Sequence, residues 1–503
     1  MTNKKKVKQP FPDVLLSTKT ITESVSAAFH RGVLRKIGPR LYTPNLKDGI
    51  EAIIRRNIWQ IVASYCPEGV IADRTALEAK PAKDGSIFLV ARRVRSVDLP
   101  GLKIRPRAGK GTVEGDRPFV AGLYFASQAR AFLENLRPSR ARSGVARTLP
   151  RAAVEEILER EFVHNGGARL NQIRDLARKI APELGLVSAF VVLDQIIGGL
   201  LGTRNAKMRS PVAAARARGE PYDSHRTELF QRLHAELVSQ APAIRPAPQM
   251  SSHAIANLTF FESYFSNFIE GTEFPVEEAR EIIFDHAVPR ERPEDAHDIK
   301  ATFDIVSSLN EMSQIPCSVE EMSSLLRRRH ATLLGGRPDK RPGFFKDRPN
   351  RAGGLLFVAP DQVEGTLGRG FEFYRSLEAP FARAVFMMFL VAEVHPFIDG
   401  NGRIARIMMN AELVSSGETR IIIPTVYRNN YLAALRALSH NGVAKPIIRM
   451  LDFAQRYTGM IPFVSYGEAN AVLRRTNAFM DSNEAENEGK RLVLPRPEMF
   501  SGT

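Results

Sequence analysis

Apolar and polar positions along the chain fall into textures that change from one stretch to the next. Thr22 to His30 carry a short helical pattern that leads into Leu34-Arg-Lys-Ile37, a Gly38-Pro39 turn and Arg40-Leu-Tyr-Thr43, predicting a helix followed by a basic hairpin. Between 70 and 105 the texture is that of strands: Ser86-Ile-Phe-Leu-Val90 is mostly apolar, and Val94, Val97, Leu102 and Ile104 are spaced among arginines around a Pro100-Gly101 turn. The front is therefore expected to be α+β, and residues 151–240 helical. Farther on, Phe261, Tyr264, Phe265, Phe268 and Ile269 recur at helical spacing. Residues 381–394 are apolar nearly all round, which predicts a buried helix. Pro396 ends that helix, and a helical pattern resumes from Arg403 to Leu413. Stretches rich in proline, glycine or arginine at 136–150, 204–224 and 242–249 read as linkers. No fixed-period repeat is visible.

Composition narrows the class. At 503 residues the chain exceeds what one core usually fills, so several domains are expected. With 44% hydrophobic and 25% charged residues it is neither disordered nor collagen-like. Cys66 and Cys317 lie far apart and match no paired zinc spacing, which argues against a disulfide framework and for a reducing, cytoplasmic setting. The apolar runs are too short to span a bilayer. Lys4, Lys5, Lys6 and Lys8 are followed by Gln9-Pro-Phe-Pro-Asp13 where a signal peptide would place its apolar region, so secretion by that route is not expected. The net charge of +16 is concentrated in front: residues 1–150 hold 28 basic and 12 acidic side chains, whereas 251–503 hold 29 and 32. Such an excess attracts polyanions, DNA or RNA above all, with a solvated basic face as the competing reading. In the first reading Arg35, Lys36 and Arg40 of the hairpin would lie on phosphates.

The chemistry is concentrated in His395-Pro-Phe-Ile-Asp-Gly-Asn-Gly-Arg-Ile-Ala-Arg406. Gly400, Asn401 and Gly402 tolerate positive φ, so their N–H groups can converge on an anion at the start of the following helix, where the helix dipole also favours phosphate. Arg403 and Arg406 are three apart and share a face, two planar cations for different phosphates of one chain, and Asn410 extends that face. Asp399 is placed to hold a divalent cation such as Mg²⁺ that bridges phosphate oxygens. His395, with an ordinary pKa of about 6.5, can take a proton from an attacking hydroxyl. Phe397 is expected as a core anchor.

These twelve residues resemble, position for position, the signature of Fic-domain proteins, His-x-Phe-x-(Asp/Glu)-Gly-Asn-Gly-Arg-x-x-Arg. Supporting features extend over about 255–460: His330, Gly343-Phe-Phe-Lys346 and the segment from Tyr431 to Leu435. The resemblance implies an α-helical core and transfer of AMP from ATP to a protein hydroxyl of Ser, Thr or Tyr. It makes His395 the general base, Asp399 the Mg²⁺ ligand, Gly400 to Gly402 the phosphate cradle, and Arg403 and Arg406 the groups that orient the triphosphate. It also implies a β-hairpin flap that clamps the target by strand pairing, with Leu356, Phe357, Val358 and Ala359 as candidates. Lys346 departs from the family's usual arginine. Ser266-Asn-Phe-Ile-Glu270-Gly271 resembles the family's inhibitory (Ser/Thr)-x-x-x-Glu-(Gly/Asn) motif, implying that Glu270 pairs with Arg406 and blocks the γ-phosphate.

The front resembles the transcriptional-regulator-like antitoxins of type IV abortive-infection systems, through Arg31-Gly-Val-Leu-Arg-Lys-Ile-Gly-Pro-Arg-Leu-Tyr42 and the mixed region Ile71 to Ile104. The expected architecture is thus multidomain: a winged-helix-like DNA-binding segment at 1–48, an α+β antitoxin-like domain at 49–135, linkers and a helical connector at 136–250, a mainly α Fic domain with inhibitory helix and small β-hairpin flap at 251–460, and a tail at 461–503. The expected function is an autoinhibited protein adenylyltransferase using ATP and Mg²⁺, with a protein target, automodification and DNA among its partners and homo-oligomerisation left open. The other readings are an enzyme that removes AMP, and an antitoxin-like DNA-binding regulator whose Fic half only senses nucleotide.

Overall fold

The computed structural model describes residues 11–141, 144–241, 244–352 and 354–499. The basic run Lys4, Lys5, Lys6 and Lys8, and Arg142, Ser143, Pro242 and Ala243 of the expected linkers, lie outside the described residues. The described chain is mainly helical with a small β region near its N-terminus, and it divides into two compact units, Met1–Gly219 and Glu220–Thr503. No helix among the described residues is long and apolar enough to cross a membrane.

The first unit opens with β1 (Leu15–Leu16), α1 (Thr22–His30), β2 (Arg35–Gly38) and β3 (Leu41–Thr43), the strands pairing antiparallel in the order β1-β3-β2. The helix and basic hairpin expected here are present, but two of its three cations are committed within the unit. Arg40 donates through Nε to the Ser17 carbonyl at 2.8 Å, and Arg35 through Nη2 to the Asp48 carbonyl at 3.1 Å. A guanidinium so engaged offers fewer donors to a phosphate, whereas Lys36 is exposed. Next come α2 (Ile50–Arg56), α3 (Ile58–Tyr65), β4 (Val70–Ile71), α4 (Asp73–Glu78), β5 (Ser86–Val90), β6 (Val97–Leu99), β7 (Leu102–Arg107), β8 (Arg117–Pro118), β9 (Tyr124–Phe125) and α5 (Gln128–Asn135). The six strands form one mixed sheet, β6-β7-β5-β4-β9-β8. Val14, Ile37 and Leu41 share a core with Ile53, Ile61 and Ile104. A helical layer follows: α6 (Arg151–Leu184), broken at Gly166 by its left-handed φ of 73°, then α7 (Val187–Leu200) and α8 (Pro211–Ala217).

The second unit is built from α9 (Ser224–Val238), α10 (Ser252–Ile269), α11 (Val276–Phe284), α12 (Pro293–Ser307), α13 (Leu309–Met312) and α14 (Val319–Leu333). A two-stranded hairpin follows, β10 (Arg351–Ala352) with β11 (Leu355–Leu356), and then α15 (Val363–Arg375), α16 (Pro380–Val394), α17 (Asn401–Ser415), α18 (Arg428–Asn441), α19 (Lys445–Gly459), α20 (Tyr466–Arg475) and α21 (Ser482–Asn487). Ala384 to Val391 of α16 each have 0% exposure, so this helix is enclosed on every side, as its unbroken apolar sequence predicts. Cutting Phe386 or Phe389 to Ala costs about 3–5 kcal/mol by the usual cavity penalty. Pro380 occupies the first turn of α16, where its missing N–H is not needed. The Ser251 hydroxyl accepts from the Ala254 N–H to start α10, and Gly271, at φ 90°, ends the turn after it. These ends place the loop 395–400 and the side chain of Glu270 at the start of α17.

Candidate functional site

The candidate base stands where α16 stops. His395 is left-handed (φ 53°, ψ 59°), a costly conformation for a residue with a β-carbon, and Pro396 removes any continuation of the helix. Its Nδ1 lies 3.2 Å from the Ala392 carbonyl, which can only accept. The proton is therefore on Nδ1, and Nε2, which has no partner among the described residues, keeps its lone pair. The Phe357 ring lies flat on the imidazole, centroids 3.7 Å apart and planes 6° apart. Burial, reinforced by the nearby Lys346 ammonium, pushes the ring's pKa down to about 4, so His395 is neutral over a wider pH range than the free side chain.

The loop from 396 to 400 is tied down by Asn401. Its side chain accepts from the Phe397 N–H at 2.8 Å and donates to the Phe397 carbonyl at 2.9 Å. Phe397 is fully buried, the core anchor expected. Of the three residues expected to reach positive φ only Gly400 does so, at 72°; Asn401 and Gly402 are helical, so the convergent N–H groups are those of the first turn of α17 rather than of a long loop. An anion already sits there. A β-carbon at Gly402 would collide with the Glu270 carboxylate, and Glu270 Oε1 accepts from Arg406 Nη2 at 2.8 Å. Arg406 also donates through Nε to the Ser266 hydroxyl at 3.0 Å and through Nη2 to the Ser266 carbonyl at 2.8 Å. Ser266, Glu270 and Arg406 thus form one contact, and Gly271 follows it as the left-handed turn.

Arg403 is directed away from Arg406's partners. Its Nη1 donates to Asp298 Oδ2 at 2.6 Å and to Asn267 Oδ1 at 3.3 Å. Arg403 Nε and Arg406 Nη1 are buried without a hydrogen-bond acceptor among the described residues, so each guanidinium keeps an unspent donor. Asp399 Oδ1 accepts the Gly400 N–H at 2.7 Å, leaving its other oxygen for a cation. The described residues hold no cluster of three or more metal-ligating side chains, so a cation here would need phosphate and water for its remaining bonds, as Mg²⁺ prefers. Asn410, expected to extend the phosphate face, is consumed structurally: it donates to Glu262 Oε1 at 2.8 Å and the Ile421 carbonyl at 3.0 Å and accepts the Ile421 N–H at 2.8 Å.

Of the four flap candidates, only Leu356 is in a strand. Phe357 and Val358 are buried, and Ala359 precedes a short 3₁₀ turn at Pro360–Gln362. Several participants carried no signal in the sequence. Asp298 and Asn267 are single polar residues on α12 and α10 and become visible only as partners of Arg403. Arg226, on α9, donates to the Leu356 carbonyl at 2.8 Å and pairs with buried Glu393 at 2.8 Å, two residues before the candidate base. Asn350 donates to the Phe397 carbonyl at 2.8 Å and accepts from Lys346 Nζ at 2.7 Å. Burial, aided by the charge of Arg226, lowers the Lys346 pKa to about 7. His330 carries the Asp399 carbonyl on Nε2 at 3.1 Å, receives the Gly343 N–H on Nδ1 at 2.9 Å, and stacks on Phe397 with centroids 3.7 Å apart.

Comparison with known proteins finds similarity to one family. Residues 321–413 match the model of the Fic/DOC family. The chain is 27% identical over 200 residues to a protein adenylyltransferase Fic of Drosophila yakuba, covering 38% of this chain and 39% of the relative. It is 26% identical over 267 residues to the protein of the same name from Drosophila willistoni, covering 52% of each. It thus spans about half or less of the length of these curated relatives. Among solved structures it is similar to Fic-1 (residues 134–508) of C. elegans, at TM-score 0.36 and 18% identity over 65% of this chain and 90% of that one. It is also similar to a Fic-domain-containing signaling protein of Bacteroides thetaiotaomicron, at TM-score 0.34 and 19% identity over 46% and 91%.

Proposed function

We propose, from the premise that residues 321–413 form a Fic domain, that the chain is an autoinhibited protein adenylyltransferase that moves AMP from ATP to a hydroxyl of a protein. The observation that carries this reading is a histidine with a free Nε2 lone pair beside a helix N-terminus on which a carboxylate is seated between Gly402 and Arg406. Such a seat is built for anionic oxygens. In the reaction, His395 Nε2 takes the proton of the target hydroxyl, whose oxygen forms a bond to the α-phosphorus of ATP. The bond from that phosphorus to the oxygen bridging to the β-phosphate breaks, and pyrophosphate carries away the electron pair. The unspent donors of Arg403 and Arg406 and the first N–H groups of α17 neutralise the phosphates. Asp399 would hold Mg²⁺ through its remaining carboxylate oxygen, the ion supplying charge neutralisation at the phosphates. Positioning and charge do most of the work, since phosphoryl chemistry asks little covalent help of the protein.

Glu270 is the brake. A phosphate can enter the seat at Gly402 only when this carboxylate leaves it and releases Arg406. The test uses the Glu270→Gly chain with ATP labelled separately at the α and γ positions. Label retained in protein from α alone supports nucleotide transfer, label from γ alone means phosphorylation, and no gain over the parent removes the brake. For the first unit we propose DNA as a partner, supported by its basic excess and the exposed Lys36. A DNA complex of the full chain should weaken steeply as salt rises from 50 to 200 mM, on the order of 10³-fold if about six phosphates are contacted; a salt-independent complex, or none, rejects that partner.

A further inference from the structure

The residue lying on His395 belongs to the hairpin and not to the signature. Arg351 pairs with Leu356 and Ala352 with Leu355, and in the same register the Phe357 N–H donates to the Asn350 carbonyl at 3.2 Å, so the hydrogen-bonded pairs are 352–355 and 350–357. Leu356 between them therefore points its carbonyl away from β10, and that is the carbonyl Arg226 grips. Immediately beyond, Phe357 is held on its other flank by Asn350, whose amide reaches the loop of the base at the Phe397 carbonyl, while the Lys346 N–H donates to the Pro396 carbonyl at 2.8 Å. The aromatic ring has little freedom to drift. It is 9% exposed and parallel to the imidazole at van der Waals distance.

We infer that Phe357 is a positioning residue for the reaction proposed above, holding the His395 ring at one tilt and keeping water from one of its faces, so that the hairpin sets the state of the base. This rests on the transferase reading only for its effect on rate. The charged groups that face His395 are Lys346 from the segment before β10, Glu270 from the end of α10 and Asp399 from the loop before α17, two carboxylates against one ammonium. The carboxylates favour a protonated ring, so a neutral one depends on burial, and Phe357 supplies part of that burial. Removing the ring admits water, allows the imidazole to protonate at higher pH and lets its Nε2 swing away from a fixed line of attack.

The test compares Phe357→Leu and Phe357→Ala in the full Glu270→Gly chain. His395 is followed through its imidazole C–H resonance in histidine-labelled protein, assigned by its loss in His395→Gln. The expected order is Phe, Leu, Ala: the titration midpoint rises from its value in the Glu270→Gly parent by roughly one unit or more toward the free value, and kcat falls by about tenfold or more, with KM for ATP within about twofold. If the Ala variant does not fold, the Leu variant carries the comparison alone. A midpoint in Leu and Ala that stays at the parent value overturns the inference. A Glu270→Gly chain that transfers no AMP overturns the transferase reading instead, while the titration still decides the role of Phe357.

Discussion

His330 and His395 occupy two corners of the same site and are packed almost alike. Each lies flat on a phenylalanine with centroids 3.7 Å apart, and burial lowers each pKa to about 4. They differ in exposure, His330 being fully buried and His395 half-buried, and in hydrogen bonding. His330 accepts at Nδ1 and donates at Nε2, so both nitrogens are spent joining α14, the segment at Gly343 and the carbonyl of Asp399. His395 donates at Nδ1 alone and retains Nε2. Neither stacking nor a shifted pKa separates the two; the count of unspent lone pairs does.

The comparison breaks most directly at the base. His395→Ala should lower transfer in the Glu270→Gly chain by about 10²- to 10⁴-fold while ATP binding, measured by calorimetry, is largely kept; transfer at the parent rate would mean that the free nitrogen is idle. Releasing the seat comes next. Glu270→Gly should raise automodification by about ten- to a hundredfold over the native chain, the scale of one charge-assisted hydrogen bond, with the partial exposure of Glu270 favouring the lower figure. His330→Leu should behave in the opposite sense to the base variant. Leaving the Gly343 N–H and Asp399 carbonyl without their partner, it should destabilise the second unit by about 2–4 kcal/mol in urea unfolding, and a full-strength fold with transfer lost would put chemistry on the wrong histidine.

The smallest effect is read in acid. Both rings titrate near 4 when folded and near 6.5 when unfolded, so between those values the unfolded chain binds more protons and stability increases with pH. The stability that the neutral rings bring is complete above about pH 6.5 and is lost as pH falls toward 4, with His330 accounting for at most about 3 kcal/mol. Urea midpoints at pH 7.5 and 5 check this, and His330→Leu should flatten the dependence. Transfer, for its part, should persist at pH 5, because His395 is still unprotonated there.

Much of this was legible before any coordinates. The enclosed α16, the stop at His395-Pro396, the left-handed Gly400 and the pairing of Glu270 with Arg406 follow from local texture and from the resemblance of two short motifs. The partners of Arg403 were not legible, because a buried cation announces that it needs an acid without saying which. Asp298 is about a hundred positions away, and nothing around it distinguishes it from a surface aspartate. The partners of Asn410 were hidden for a related reason: sharing the face of Arg403 and Arg406 placed it near the site, without telling that its amide pairs with the backbone of Ile421. Leu356 to Ala359 were read as flap candidates that clamp a target by strand pairing; that β11 ends at Leu356 and that Phe357 and Val358 are buried was not legible.

By itself, then, the chain determined which groups are chemically available and in what local order: an imidazole, a carboxylate, a helix start and two guanidiniums within twelve residues. Local order is enough for this because helix periodicity, proline and glycine act over a few bonds. Tertiary structure alone decided how each group is used. Whether a nitrogen is free, which acid holds which arginine and which aromatic ring covers His395 depend on contacts between segments distant in sequence, where satisfying every buried polar atom leaves only a few lone pairs and donors to spare.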